Sequence, residues 1–294
     1  MKKFILLLVG IFLIAGSAYA LDLEYFIVHK PKAGMSADEI MEIKYFNKYS
    51  LFAKDYQSIG DVVFIESDGS TRNRRFLRQR IILGRKQDEL SYKDSVMFTQ
   101  PTSVKGLATL TWNYMNPDRD QDVWLWLPSL RKIRKVSAGQ ANDSFMGSDF
   151  TNEEITSRQF EDETYTLVGE ETFKGYTSLY DGAVYHKDEP VYVIECRSKT
   201  DPWYYSKRIT YVSKEFGGNI FDEIYDVKGQ MVRTLFRGWE IMDVDGKEYP
   251  AQVRVEGHDL RTGHKSIIIF DEIKFDQGLS EDIFTQKTLT RQRW

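Results

Sequence analysis

The chain has 294 residues, of which 40 are basic and 44 are acidic, so its net charge at neutral pH is -4. This acidic balance argues against bulk electrostatic binding of DNA, and no nucleic-acid partner is expected. Cys196 is the only cysteine, which excludes a disulfide within the chain, and its strand-like surroundings predict a buried thiol rather than a reactive one. Aromatic residues make up 14% of the chain, and they must be buried or face an apolar ligand.

The first twenty residues have the pattern of a secretory signal peptide. Lys2 and Lys3 supply a charged start, residues 4–15 are almost entirely apolar, and Ala18-Tyr19-Ala20 has the small residues that a signal peptidase requires. The apolar run is too short for a lasting membrane anchor. We therefore predict that residues 1–20 are removed and that the mature protein is soluble in the periplasm. Loss of the two lysines changes its net charge to -6.

One helical segment is followed by a long series of strands. Ser36 and Glu39 fit a capping box, which predicts a helix that begins there. From Asp61 onward, apolar residues alternate with a period of two in short runs that turn residues separate. The predicted strands after residue 160 are 164–173, 176–185, 191–197, 204–213, 219–227, 231–244, 249–260 and 265–273. A short helical pattern follows at 279–284.

This order of elements predicts a mainly β protein with an antiparallel sheet or barrel. Because no linker or matching repeat divides residues 21–294, we expect a single domain.

Residues 142–159 interrupt the strand pattern. Thr151 and Glu154 fit a second capping box, which predicts a short helical turn. The segment 145–155 is interpreted as a mobile lid hinged at Gly147, because glycine adopts conformations that other residues resist and the apolar residues beside it suit a cover. An ordinary ordered loop packed on the sheet edge explains the same pattern.

Aromatic residues on the predicted strands suggest an apolar cavity. The helical segments are too few to cover one face of so long a series of strands, which leaves apolar surface uncovered. The simplest role for these aromatics is a core, and the alternative is a cavity wall that binds acyl chains. The candidate cavity residues are Leu110, Trp112, Tyr114, Trp124, Trp126, Phe145, Met146, Phe150, Trp203, Tyr205 and Trp239.

Two predicted strands are rich in basic residues. A solvated outer face is one explanation. The other is a cationic rim for anionic head groups or an acidic partner protein, since the arginine fork binds phosphate or carboxylate through two hydrogen bonds. The candidate contact residues are Arg74, Arg78, Arg80, Arg131 and Arg134.

Catalytic chemistry has little support in the sequence. His258 and His264 flank a turn and can face each other across a hairpin, but a metal site needs a third ligand. No phosphate loop, dinucleotide fingerprint or hydrolase nucleophile motif is found in the 294 residues. We predict that the protein is not an enzyme and needs no metal or cofactor.

Residues 122–135, DVWLWLPSLRKIRK, and 144–154, SFMGSDFTNEE, resemble the signature of the LolA-like outer-membrane lipoprotein-sorting proteins. The resemblance extends over nearly all of 21–294, which it identifies as one LolA-like carrier domain. It implies a strongly curved antiparallel sheet, an incomplete barrel, with helices over the concave face and a cavity for acyl chains. The chain is longer than the lipoprotein carriers proper and resembles a branch associated with exporters of the resistance-nodulation-division type.

Two functions are consistent with these patterns. The first is a periplasmic carrier that binds the acyl chains of a lipoprotein or lipid and moves it from inner-membrane machinery to the outer membrane. The second is an accessory protein of an exporter or envelope complex that carries nothing. The nature of the cargo, the exporter partner and the oligomeric state stay open.

Overall fold

The fold is built on one antiparallel sheet of thirteen strands. The computed structural model describes residues 28–84, 90–136 and 142–291, without the side chains of residues 156 and 157, so the predicted signal peptide lies outside the described residues. The strands of the first half are β1 (Asp55–Ile65), β2 (Thr71–Ile82), β3 (Leu90–Gln100), β4 (Ala108–Tyr114), β5 (Asp122–Leu127), β6 (Lys132–Val136) and β7 (Glu163–Phe173).

Eight further strands follow: β8 (Tyr176–Thr177), β9 (Val184–Tyr185), β10 (Glu189–Ser198), β11 (Lys207–Ser213), β12 (Asn219–Tyr225), β13 (Met231–Val244), β14 (Lys247–Asp259) and β15 (Lys265–Phe275). The large sheet has the order β6-β5-β4-β3-β2-β1-β15-β14-β13-β12-β11-β10-β7. Its edge strands β6 and β7 are not paired with each other, so the sheet is not closed into a barrel.

The helical elements are short. Helix α1 (Ala37–Lys48) begins at the predicted capping box: the Glu39 N–H donates to Ser36 Oγ at 3.3 Å, and the Ser36 N–H donates to Glu39 Oε2 at 2.7 Å. A π-helical turn spans Glu153–Ser157, a 3-10 turn spans Glu281–Ile283, and α2 (Gln286–Arg291) ends the described chain. None of the described helices has the length and apolar character needed to cross a membrane.

The sheet curves strongly around α1. This helix packs on Ile82 and Tyr92 from β2 and β3 and also on Ile194 and Val212 from β10 and β11. Strands β3 and β10 are eight places apart in the sheet order. That separation is roughly 38 Å in a flat sheet, whereas a helix with its side chains is about 10–12 Å wide. We call the face that surrounds α1 the inner face.

One predicted strand, 176–185, is wrong as a continuous element. It folds back on itself as the small β8–β9 hairpin, because Asp181-Gly182 forms a turn in which Gly182 has a φ of 72°. The hairpin packs beside the large sheet, with the ring of Tyr176 stacked on Phe236 at 4.1 Å between centroids.

Replacement of Ser36 by alanine tests the first cap. Loss of the hydroxyl leaves the Glu39 N–H without its side-chain acceptor, so we expect the free energy of unfolding to fall by about 1 kcal/mol. Urea denaturation measures this, with Ser67→Ala in the exposed β1–β2 turn as the control. Equal stability of the two variants would contradict the proposed contribution of the cap.

Candidate functional site

A cavity of about 620 Å³ lies on the inner face, beside β4 and β5. One wall is made of alternate residues of these strands: Thr109 and Thr111 on β4, and Val123, Leu125 and Leu127 on β5. The register explains this, because β4 and β5 pair Thr109 with Leu125 and Thr111 with Val123, which places their side chains on the same face. The volume is within the range of small-molecule pockets.

The opposite wall comes from two loops. Phe145 and Met146 of the segment 142–159 and Trp203 of the β10–β11 loop face the cavity with apolar side chains. Gln159 and Asp162 belong to the polar part of its lining. Desolvation raises the pKa of Asp162 to about 6, although its side chain stays partly exposed. The cavity lining therefore combines an aliphatic strip on β5 with many polar side chains, which suits an amphiphile better than a fully apolar ligand.

The segment 145–155 covers part of the inner face; we call it the cover segment. Phe150 is 1% exposed and packs in the apolar cluster that includes Phe64 and Phe98. Gly257 makes room for this ring, because a Cβ at that position would lie 2.8 Å from Phe150 Cε1. Met146 and Gly147 have φ angles of 52° and 80°, so the chain turns sharply where the sequence places glycine.

Polar contacts also hold the cover segment. The Asp149 carboxylate accepts a hydrogen bond from Ser266 Oγ at 2.8 Å and lies 2.6 Å from His264 Nδ1. Thr151 and Glu154 form the predicted capping box, with the Thr151 N–H donating to Glu154 Oε2 at 2.8 Å and the Glu154 N–H donating to Thr151 Oγ1 at 3.2 Å. His264 therefore contacts the cover segment, and among the described residues no group of three potential ligands could hold a metal.

Several candidate cavity residues lie on the other face of the sheet. Leu110, Trp124 and Trp126 are buried in a cluster with Phe284 and Leu289 of the C-terminal segment. Trp112 is partly buried and packs against this cluster. The Trp112 Nε1–H donates to the Phe284 carbonyl at 3.1 Å. The predicted alternation is right, but this face is the outer one, and the 279–291 segment covers it.

The remaining aromatic candidates are dispersed. Phe145, Met146 and Trp203 line the cavity, whereas Phe150 lies beneath them in the inner-face core. Tyr205 is buried in the same core and donates to Glu163 Oε1 at 2.7 Å. Two others lie away from the cavity: Tyr114 donates to Asp122 Oδ2 at 2.7 Å, and Trp239 Nε1–H donates to the Asn219 carbonyl at 2.9 Å.

The five candidate arginines divide between the interior and the surface. Arg74 lines the cavity and donates to the Met146 carbonyl at 2.8 Å. Arg78 and Arg80 point to the inner face and share Asp94, with Nε to Oδ2 distances of 3.1 and 2.7 Å. Arg131 and Arg134 are exposed on the β5–β6 hairpin, where Arg134 reaches the cavity margin. Only the last two fit the solvated-surface interpretation.

A buried ion network lies under α1. Arg208 is 1% exposed and binds both Glu163 at 2.6 Å and Asp222 at 3.0 Å. Arg237 also binds Asp222. Burial alone would raise the pKa of Glu163, but Arg208 and Arg158 stabilise its charged form and lower its pKa to about 2.

The sequence interpretation missed the aliphatic wall and the buried charges. Val123, Leu125 and Leu127 alternate with the tryptophans of β5, so the signal was visible in the same stretch. Arg208 and Arg237 stand in strands with ordinary alternation, and nothing in the sequence marks them as interior.

Comparison with known proteins identifies the family to which the chain belongs. A protein-family model described as "Uncharacterized protein" matches residues 91–291. The chain belongs to that family. No protein in the search of curated sequences is significantly similar to the chain.

Solved structures have the same fold at low sequence identity. One is a putative outer membrane lipoprotein-sorting protein domain from Vibrio parahaemolyticus, 21% identical, with a TM-score of 0.70 over 87% of this chain and 98% of that one. A DUF1329 family protein from Desulfovibrio piger is 23% identical, with a TM-score of 0.70 over 86% and 99%. A LolA superfamily protein from Nitrosomonas europaea is 21% identical, with a TM-score of 0.59 over 86% and 99%. The predicted LolA-like fold, an unclosed antiparallel sheet, is therefore confirmed.

The ion network gives an acid-sensitive stability. The folded-state pKa of Glu163 is about 2 and its ordinary value is 4.5, so its contribution is complete above pH 4.5 and is lost as the pH falls towards 2. We expect a loss on the order of 3 kcal/mol in the free energy of unfolding over that interval.

Chemical denaturation at a series of pH values tests this, with Glu163→Gln as the comparison. The variant should be less stable at pH 7, because Arg208 loses a buried partner, and its stability should depend less on pH between 4.5 and 2. Parallel pH profiles for the two proteins would count against the assignment.

Proposed function

We propose that this protein is a periplasmic carrier, not an enzyme, that binds the acyl chains of a lipoprotein or lipid and moves it from inner-membrane machinery to the outer membrane. The observation that carries the proposal is the inner-face cavity of about 620 Å³ with an aliphatic wall of Val123, Leu125 and Leu127. The LolA-like fold supports the same reading. Because the sequence has no phosphate-loop motif, transfer is proposed to depend on differences in affinity between donor, cavity and acceptor.

The cover segment is proposed to act as a lid. Phe145 and Met146 line the cavity, and Phe150 occupies an apolar site against Gly257. Acyl chains that replaced these side chains would satisfy the same apolar surface. Closed and loaded states then compete for one site, which gives the protein a way to release cargo.

Exposed Arg131 and Arg134 are proposed to contact cargo head groups or a partner at the margin of the cavity. Arg134 lines the cavity and pairs in register with Leu125 of the aliphatic wall, whereas Arg131 lies in the β5–β6 turn. An exporter of the resistance-nodulation-division type is the partner class that the sequence resemblance suggests.

Acyl binding should depend on chain length. Burial of each additional methylene contributes about 0.8 kcal/mol, so affinity for fatty acids should rise about fourfold per methylene until the cavity is full. Titration calorimetry measures the affinities, and the fluorescence of Trp203, rather than that of the outer-face tryptophans, should respond.

Leu125→Asn puts an amide in the aliphatic wall and should weaken binding of a long fatty acid about tenfold or more. Leu167→Asn is the matched control, because Leu167 is exposed on the edge strand β7. Binding that is independent of chain length, or an equal effect of the two variants, would contradict the carrier proposal. Complete lack of lipid binding would favour the accessory-protein function.

Gly257→Ala tests the lid. The added methyl group would meet the Phe150 ring at 2.8 Å, which should displace the cover segment from the inner face and increase affinity for acyl chains several-fold. Gly169→Ala is the control, because nothing lies within 4 Å of a Cβ there. A lower melting temperature with unchanged or weaker lipid binding would show that the segment is an ordinary structural loop.

A further inference from the structure

A second, smaller pocket lies on the inner face between α1 and the cover segment. Its volume is about 40 Å³, room for one small ion or a single head group. Three cationic side chains line it: Lys48 from α1, Arg78 from β2 and Arg237 from β13. Glu154 is the one carboxylate among its described lining residues, and Arg233 already binds that carboxylate.

The carboxylates near this pocket are shared among several cations. Asp94 binds both Arg78 and Arg80, and Asp222 binds both Arg208 and Arg237. Under α1 and the cover segment, buried or half-buried cations outnumber the carboxylates among the described residues. The cations are Lys44, Lys48, Arg74, Arg78, Arg80, Arg158, Arg208, Arg233 and Arg237, and the carboxylates are Asp94, Asp149, Glu153, Glu154, Glu163 and Asp222.

Lys48 has no carboxylate partner among the described residues. Its ammonium donates to Tyr49 Oη at 3.1 Å and lies 4.7 Å from the centre of that ring, and no ion pair of the described residues includes it. Burial, and then the neighbouring charges of Lys44 and Arg237, lower the pKa of Lys48 well below its ordinary value. A half-buried ammonium without a counter-ion is costly to keep protonated, and an anion in the pocket would lower that cost.

Gln252 adds a neutral donor to the same pocket. Its side-chain Nε2 is buried and has no hydrogen-bond partner in the structure. A buried donor of this kind costs free energy until an acceptor reaches it. Ammonium, two guanidinium groups and an amide together form a set of donors that fits an oxyanion.

The rest of the pocket wall is apolar. Val255, Ile268 and Phe270 line it beside Ile155 of the cover segment. Val255 and Ile268 also belong to the cluster around Phe150, so the pocket is continuous with the apolar surface that the cover segment occupies. An amphiphile whose chain lay on that surface would place its head group among the cations.

We propose that Lys48, Arg78, Arg237 and Gln252 form an anion site for the carboxylate or phosphate head group of an amphiphile. The site rests on the proposed carrier function, since the chain of the same ligand replaces Phe150 and Ile155. Lys48 neutralises the head group, the guanidinium groups of Arg78 and Arg237 orient it, and Gln252 donates the remaining hydrogen bond. The cargo class is therefore an anionic amphiphile.

Titration calorimetry with three probes tests the site: laurate, dodecanol and inorganic phosphate. Laurate and dodecanol have chains of equal length, so dodecanol measures the chain alone and their ratio measures the head group. We expect laurate to bind about tenfold or more tightly than dodecanol, because hydrogen bonds to charged groups are the stronger ones. Phosphate that binds alone and competes with laurate would show that a free oxyanion suffices. Phosphate that does not bind would show that the chain is needed.

Lys48→Met keeps most of the aliphatic stem and orphans no carboxylate. It should reduce the laurate-to-dodecanol ratio to about one without changing dodecanol affinity. Lys54→Met, at an exposed position, is the matched control and should leave the ratio unchanged. Gln252→Leu is the second variant in case Lys48→Met does not fold, and it should reduce the ratio several-fold.

The two proposals fail separately. If dodecanol and laurate bind equally to the parent protein and phosphate does not bind, the carrier proposal stands and the anion site is overturned. If neither amphiphile binds but phosphate binds and Lys48→Met abolishes its binding, the pocket binds a free oxyanion, and both the amphiphile cargo and the carrier proposal are overturned. An unchanged ratio in both pocket variants also overturns the site.

Discussion

The inner face of the sheet is wider than one helix can cover. The other features of the structure depend on which residues cover the rest of that face. Helix α1 has twelve residues, so it is about 18 Å long. Because the sheet curves around it, α1 packs on β2 and β3 and also on β10 and β11. The surface that it leaves bare is covered by the cover segment at Phe150 and is otherwise open at the cavity beside β4 and β5.

The same constraint explains the charged interior. A curved antiparallel sheet directs every second side chain inward, and several of those positions hold arginines rather than aliphatic residues. Arg208 and Asp222 therefore meet under α1, far from water, in a network in which Asp222 binds two arginines and Arg208 binds two carboxylates. Such networks add little net stability compared with apolar packing, but removal of one member is costly. The surplus of cations in this network supports the proposed anion site.

Local patterns predicted the elements well, because they are set by neighbouring residues. The Ser36–Glu39 and Thr151–Glu154 caps, the alternation in β4 and β5 and the antiparallel order all follow from short-range chemistry. Short-range chemistry does not determine which side of the sheet faces inward. Both faces of β5 are apolar, with Trp124 and Trp126 on one and Val123, Leu125 and Leu127 on the other, so alternation could not assign the cavity wall.

Contacts between distant parts of the chain decide that assignment. Phe284 and Leu289 cover the tryptophans from more than 150 residues away, and no local pattern encodes this packing. The buried arginines present the same difficulty, because an arginine on alternate strand positions has the same sequence signature on a wet face as on a dry one. Its partners, such as Asp222 for Arg237, are neighbours only after the sheet has formed.

The energetics of the cover segment set the kind of cargo that can displace it. Full burial of one large apolar side chain stabilises a protein by about 1.5–3 kcal/mol, and Ile155 is half-buried, so withdrawal of Phe150 and Ile155 costs up to about 6 kcal/mol before polar contacts are counted. Each methylene that takes their place returns about 0.8 kcal/mol, which means that up to about eight methylenes are needed to balance the exchange. Shorter chains leave the segment closed, and longer ones shift the population towards the loaded state.

The Arg233 contact with Glu154 adds to the threshold, because both groups must find water or new partners when the segment moves. In the proposed anion site, an anionic head group that pairs with Lys48 would lower this threshold again. The proposed competition between Phe150 and cargo for one apolar surface would therefore select long-chain anionic amphiphiles.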